Sequence, residues 1–238
     1  MLGSWGALVT LSPGAHLVYT RTSLAAVYPQ WAPLNNAVLL DPPSEASASE
    51  APAELASIYA AAGVPTWALW LPGPGTEFDS ADVVSRVDGM VRDTTTLVMT
   101  LDLENGLPTD SAVRRTTVWA AILAGDEPVA EHKLPAPDTH SDIQAWALVS
   151  NGFAVTSALT YTSGCDVGIY AVGTAPDWQR RGLARRLMLH VLADAHRRGA
   201  RTASLQSTGV GESLYRSLGF HSVGRYEEWV ASDSVPSP

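Results

Sequence analysis

Residues 168–192, Gly168-Ile-Tyr-Ala-Val-Gly-Thr-Ala-Pro-Asp-Trp-Gln-Arg-Arg-Gly-Leu-Ala-Arg-Arg-Leu-Met-Leu-His-Val-Leu192, pass from a strand into a loop and from the loop into a helix. The helix is marked by Leu183, Leu187, Val191, Leu192 and Ala195 on one face, with Arg185, Arg186, Arg197 and Arg198 elsewhere and Gly199 as its stop. Its first turn therefore falls at Gly182 to Arg185. The N–H groups of a helix start lack intrahelical partners and carry the positive end of the macrodipole. With Arg180 and Arg181 beside it, this loop is suited to an anion of diphosphate size.

Working outward, the residues before this stretch read as an antiparallel meander. Gln144 to Val149, Phe153 to Thr160 and Val167 to Val172 have strand character and are separated by Ser150-Asn-Gly and Ser163-Gly turns. After the helix, Ala200-Arg-Thr-Ala-Ser-Leu-Gln reads as a strand. Glu212-Ser-Leu-Tyr-Arg-Ser-Leu-Gly-Phe reads as a short helix closed by Gly219-Phe220, and Gly224-Arg-Tyr-Glu-Glu-Trp-Val as a last strand. A dinucleotide-binding turn of the G-x-G-x-x-G kind does not fit, because the loop holds one glycine.

Gln179-Arg-Arg-Gly-Leu-Ala, placed between a strand and a long helix, resembles the Q/R-x-x-G-x-G/A signature of the GNAT superfamily of N-acetyltransferases. The resemblance extends over residues 143–231. It implies a GNAT-like acyl-CoA N-acyltransferase fold of the α/β (α+β) class, a mixed, mostly antiparallel sheet flanked by helices. It implies acetyl-CoA as acyl donor, with the diphosphate held by Gln179, Arg180, Arg181, Gly182, Leu183, Ala184 and Arg185. The strand end at Val172, Gly173 and Thr174 would offer backbone N–H to the acetyl carbonyl, and Tyr215 would donate a proton or hydrogen bond to the departing sulfur. Transfer from a thioester to an amine needs that polarisation and that donor.

The chain departs from the family pattern at two points. Thr208 stands where an asparagine often contacts the cofactor, and Gly168 stands where some members carry a glutamate general base. Asp166 and Tyr170 remain as alternatives for the base, as do Glu227 or Glu228 acting through water. No metal is implied: the six histidines show neither H-x-x-x-H nor H-E-x-x-H spacing. Cys165, the single cysteine, has no histidine beside it to make it a nucleophile and no partner for a disulfide. No G-x-S-x-G elbow is present. Trp31, Trp67, Trp70, Trp119 and Trp146 read as core, with an aromatic substrate pocket as the alternative.

In the first half, Leu8-Val-Thr-Leu and Leu17-Val-Tyr read as short strands, and Asp41 to Pro52 as a surface loop. Leu55, Ile58, Tyr59 and Ala62 before Gly63 read as a helix, and Thr66 to Leu71 as a buried strand. A turn at Pro72-Gly-Pro-Gly precedes a helix from Asp79 or Ser80 through Val91, and Thr94 to Leu103 forms a strand. A helix is expected over Asp110 to Ala124, and a turn over Pro135 to Asp142. The helix, strand, helix, strand order of residues 55–103 echoes the second half of the fold without its arginine loop. It suggests a degenerate GNAT-like α/β subdomain at 1–104 that shapes the acceptor pocket, a transferase domain at 105–232 and a tail at 233–238. A divergent extension of a single domain is the alternative.

The 238 residues carry 15 basic and 24 acidic side chains, a formal charge of -9, which disfavours a polyanionic partner such as nucleic acid. Lys133 is the only lysine. The N-terminus lacks a secretory pattern and no apolar run is long enough to span a bilayer, so a cytoplasmic protein with no membrane partner is expected. The function expected from the sequence is acetyl transfer to a primary amine on a small molecule or peptide. A catalytically inactive acyl-CoA-binding sensor is the alternative.

Overall fold

The computed structural model describes residues 2–31, 34–40, 45–73, 84–85, 89–104, 106–137 and 142–231. In chain order its helices of the α type are α1 (Leu2–Val9), α2 (Glu45–Ala61), α3 (Val118–Asp126), α4 (Leu183–Arg197) and α5 (Glu212–Ser217). Its strands are β1 (His16–Tyr19), β2 (Ser23–Val27), β3 (Asn36–Leu39), β4 (Ala68–Pro72), β5 (Met90–Asp102), β6 (Val113–Thr116), β7 (Val129–Ala130), β8 (Ile143–Ser150), β9 (Phe153–Ser163), β10 (Asp166–Thr174), β11 (Thr202–Ser207) and β12 (His221–Ala231). They form one sheet in the order β1-β2-β3-β4-β12-β5-β11-β10-β9-β8-β6, with β7 beside β9. Among the described residues only β3 with β4 and β10 with β11 pair in parallel, and each of these pairs is bridged by a helix, α2 and α4 respectively.

The order of strands contains an exchange. β5 leaves the first half and inserts between β11 and β12, while β12 inserts between β5 and β4. Each half therefore has its sheet continued by a strand of the other. The two helical layers lie on one face: α2 covers Leu69, Leu71 and Trp229, and α4 with α5 covers Met99, Ile169 and Leu205.

The other face is concave. Neighbouring strands lie about 4.8 Å apart, so β2 and β9 would be about 34 Å apart in a flat sheet. Yet Ala26 and Tyr28 share a buried cluster with Ala145 and Leu159, closed by Ala7 and Leu8 of α1 and Val118 and Ala121 of α3. Curling brings the N-terminal half over the strands that carry the Gln179 loop. The far end of α4 is pinned by Asp194, a buried carboxylate that accepts from Arg197, Arg198 and Arg115 of β6.

The meander, the strand, loop and helix unit, and the two strands and short helix after it all fall where the sequence predicts. Four predictions are corrected. Leu8 lies in a helix, because residues 2–9 present Ala7 and Leu8 to the concave core. Asp110 to Ala124 is not one helix: Val113–Thr116 pairs with β8, and the helix starts at Val118, where the Thr117 side chain accepts from the Ala120 N–H. Met90 and Val91 belong to β5, paired with Ala231 and Val230, not to a helix. The surface loop predicted over Asp41 to Pro52 is helical from Glu45 on, because α2 starts there and carries Pro52 within it. Residues 41–44 of the predicted loop, the turn at 74–75, the helix over 79–83 and 86–88, the turn at 138–141 and the tail at 233–238 lie outside the described residues.

Candidate functional site

β10 and β11 pair only from Asp166–Thr202 to Ile169–Leu205. Beyond Ile169 the backbone of β10 turns aside: Ala171 takes φ of 49°, and the register with β9 shifts between Tyr170 and Gly173. The two strands splay, leaving residues 172–174 without a β11 partner. Gly173 lies against Gly125 at the end of α3, and a Cβ on Gly173 would fall 2.8 Å from the Gly125 Cα. Glycine is required by this backbone approach. The end of β10 is held by Gln179, whose Nε2 donates to the Thr174 carbonyl at 3.1 Å, and by a Thr156–Thr174 hydroxyl contact.

A cleft of about 390 Å³ runs from the splay to the start of α4. Of the residues singled out by the signature, Val172, Thr174, Gln179, Arg180, Gly182, Leu183, Ala184, Arg185 and Tyr215 line it. Arg180 has φ of 58°, and Gly182, the N-cap of α4, has φ of 73° and no side-chain cap. The first N–H groups of α4 are thus uncapped by any side chain, at a mouth carrying two guanidinium groups, a combination that fits a diphosphate. Gly173 and Thr208 are not among the lining residues, and Arg181 is turned aside. Its guanidinium lies 5.1 Å from the centre of the Trp178 ring and donates to the Asp177 carbonyl at 2.7 Å. Tyr215 is only 7% exposed and meets Phe220 edge-on. Burial pushes its phenol up to about 12, so it keeps its proton.

Two cavities open on the concave face. The larger, about 340 Å³, is walled by Trp5, Leu8, Tyr28, Leu34, Trp70 and Leu159 and reaches Ala171 and Gln206 at the splay. The smaller, about 170 Å³, shares Tyr170 and Gln206 with it and adds Val98, Ser204 and Tyr226. Ala171 and Val172 are consecutive, and each lines a cavity on its own side of the sheet. The tryptophans divide accordingly: Trp67 and Trp146 are core, Trp31 stacks on Trp119 at 4.6 Å, and Trp70 lines the cavity.

The four carboxyl or phenol alternatives for a base are placed differently. Asp166 sits at the far end of β10, where it accepts from Thr202 and Ser204 hydroxyls. Glu227 pairs across from Leu71 and so faces α2, beside Arg92. Tyr170 lines both concave cavities; burial pushes its phenol up, and its ring fills the space above Gly168. Glu228 lies directly across from Trp70, so it shares the concave face with Trp70 and Tyr226. Burial, and secondarily the charge of Asp93, pushes its carboxyl up to about 7. Among the described residues no group of His, Cys, Asp and Glu is arranged to hold a metal. The sequence offered no signal for Trp5, Tyr28 or Leu34, because their approach to β10 depends on the curl of the sheet.

Residues 142–222 match the family model of the acetyltransferase (GNAT) domain. A 77-residue segment is 32% identical to the [ribosomal protein bS18]-alanine N-acetyltransferase of Escherichia coli, covering 31% of this chain and 52% of that protein. The chain thus spans about half the length of the curated relatives it matches. The fold is shared more widely. A GCN5-related N-acetyltransferase from Kribbella flavida superposes with a TM-score of 0.68 at 19% identity, over 97% of this chain and 94% of that one. A tandem GNAT protein from the clavulanic acid biosynthesis pathway superposes with a TM-score of 0.57 at 14% identity, over 95% of this chain and 86% of that one. Signature loop, splayed strands and family match coincide in one region, and residues 142–222 are a domain of the GNAT acetyltransferase family.

Proposed function

We propose that this chain transfers the acetyl group of acetyl-CoA to a primary amine directly, within a ternary complex. One observation supports this above the rest: a single gap between β10 and β11 separates a cleft at the uncapped start of α4 from an apolar cavity on the concave face. A thioester reaching through the gap from one side would meet an amine arriving from the other.

In this reading the N–H groups of α4's first turn, with Arg180 and Arg185, hold the diphosphate, and Gln179 keeps the loop against Thr174. Arg181 and Thr208 act at the edge. Backbone N–H groups at 172–174 face the acetyl carbonyl and favour the charge that develops on it. Tyr215 donates a hydrogen bond to the departing sulfur. Its phenol titrates near 12, whereas a thiol titrates at about 8.5, so full proton transfer is uphill and the hydrogen bond carries the effect. Glu228, a concave-face carboxyl that burial pushes up to about 7, takes the proton from the amine through water. Residues 1–104 serve as a degenerate GNAT-like unit that roofs the acceptor cavity through α1 and supplies β5 to the transferase unit at 105–232.

Tyr215→Phe tests the assignment of the donor. Thiol release from acetyl-CoA in the presence of a reactive amine is expected to fall about 10- to 100-fold in kcat, with acetyl-CoA affinity held within about 3-fold. Unchanged kcat would remove Tyr215 from the chemistry.

A further inference from the structure

The concave cavity names a class of acceptor. Its walls carry four aromatic rings, Trp5, Tyr28, Trp70 and Tyr170, with Leu8, Leu34 and Leu159, and no acidic or basic side chain is among its described lining residues. At about 340 Å³ it lies at the small end of ligand sites. Burying a cation without a carboxylate partner is costly, so a molecule with several ammonium groups has nowhere to place its second charge. The polar groups are few. Ser4, Asn36 and Gln206 line the cavity, and Asn36 already accepts from Trp70 Nε1 at 2.8 Å. Tyr28 is different: it is 2% exposed and its hydroxyl has no hydrogen-bond partner among the described residues. A buried hydroxyl is ordinarily paired, and this one, on a residue that lines the cavity, keeps a hydrogen bond to offer to a ligand atom.

We infer that the acceptor is a monoamine with an aromatic body, its amine at the Ala171–Gln206 mouth of the cavity and a polar oxygen on the ring at the Tyr28 hydroxyl. This rests on the transferase reading above and narrows its substrate. The overall charge of -9 argues mildly for a cationic acceptor by steering, but steering acts on encounter, while the cavity walls decide what is held.

The experiment has two stages on the full chain. Acetyl-CoA is first titrated calorimetrically. Thiol release is then measured with 2-phenylethylamine, tyramine, spermidine and kanamycin. The two aromatic monoamines are expected to react with kcat/KM at least 10-fold above spermidine or kanamycin, and tyramine at least 5-fold above 2-phenylethylamine. Tyr28→Phe, which breaks no hydrogen bond in the described structure, is expected to erase the preference for tyramine and leave acetyl-CoA affinity unchanged. Trp5→Ala is expected to raise KM for the aromatic amines about 10-fold, with its melting temperature as a control on folding. If acetyl-CoA binds and the polycations react better, or if Tyr28→Phe keeps the tyramine preference, the inference is overturned while the transferase reading stands. If acetyl-CoA does not bind, the transferase reading falls and takes this inference with it.

Discussion

A chain cut back to residues 105–238 is expected not to fold cooperatively, although it contains the entire region matched by the family model. The reason is β5. Its Leu97 to Asp102 pair residue for residue with Ser207 to Thr202 of β11, and its other edge pairs with β12. Deleting it separates β11 from β12 and leaves both with unpaired edges. It also strips Met99, Leu97, Leu101 and Leu103 from the cluster beneath α4 and α5. Burying one such side chain is worth about 1.5–3 kcal/mol, so four together approach the 5–15 kcal/mol that typically holds a domain folded. Thermal unfolding followed by circular dichroism checks this. A truncated chain with a sharp transition that turned over amines normally would show that the first half neither completes the sheet nor shapes the pocket.

Glu228→Gln is expected to lower kcat/KM at pH 8 by about 10²- to 10³-fold and to abolish the acid limb of the pH–rate profile. With a carboxyl titrating near 7, the wild type should lose activity as pH falls through that value, because the protonated acid cannot accept the amine proton. Stability moves in the opposite sense. The folded pKa lies above the ordinary 4.5, so the group's stabilising contribution is full below 4.5 and is lost as pH rises through about 7. The glutamine variant should therefore melt above the wild type at pH 8 and alongside it at pH 4. A gain of about 1–2 kcal/mol is expected at pH 8, since one pKa unit corresponds to about 1.4 kcal/mol and the half-buried site is partly screened. An intact acid limb in Glu228→Gln would assign the base elsewhere.

How much could be read from the sequence differs between the halves, for a physical reason. From Ile143 onward each element carries its own local signal. Period-two runs mark β8 to β10, the leucine and valine stripe marks α4, and the uncapped Gly182 marks its start. The loop proposed to hold the diphosphate could be singled out for the same cause, because a helix start and its neighbouring arginines are contiguous in the chain. Before residue 142 some local signals hold, as at Leu17-Val-Tyr, Thr66 to Leu71 and Thr94 to Leu103, and others conflict with the context. Val113-Arg-Arg-Thr looks like the opening of the helix that follows, and only its pairing with β8 makes it a strand. Leu8 has strand propensity but sits on a helix because the concave core needs Ala7 and Leu8 on one side.

The concave cavity was legible only in Trp70, one of the five tryptophans offered as an alternative aromatic pocket. Trp5, Tyr28 and Trp70 come together only because a curled sheet brings β2 to β9 and because β12 slots between β4 and β5. Glu228 is proposed ahead of the other three alternatives because the pairing of β12 with β4 places it opposite Trp70 and turns Glu227 to the other face.

The most direct test of the account is calorimetric titration of acetyl-CoA into the full chain and into Arg185→Ala. One binding site per chain is expected, with a dissociation constant on the order of micromolar to tens of micromolar, weakened about 10-fold in the variant by loss of a charge-assisted contact to the diphosphate. Absence of binding to the wild type, or equal affinity in the two proteins, would contradict the placement of the acyl donor at the start of α4.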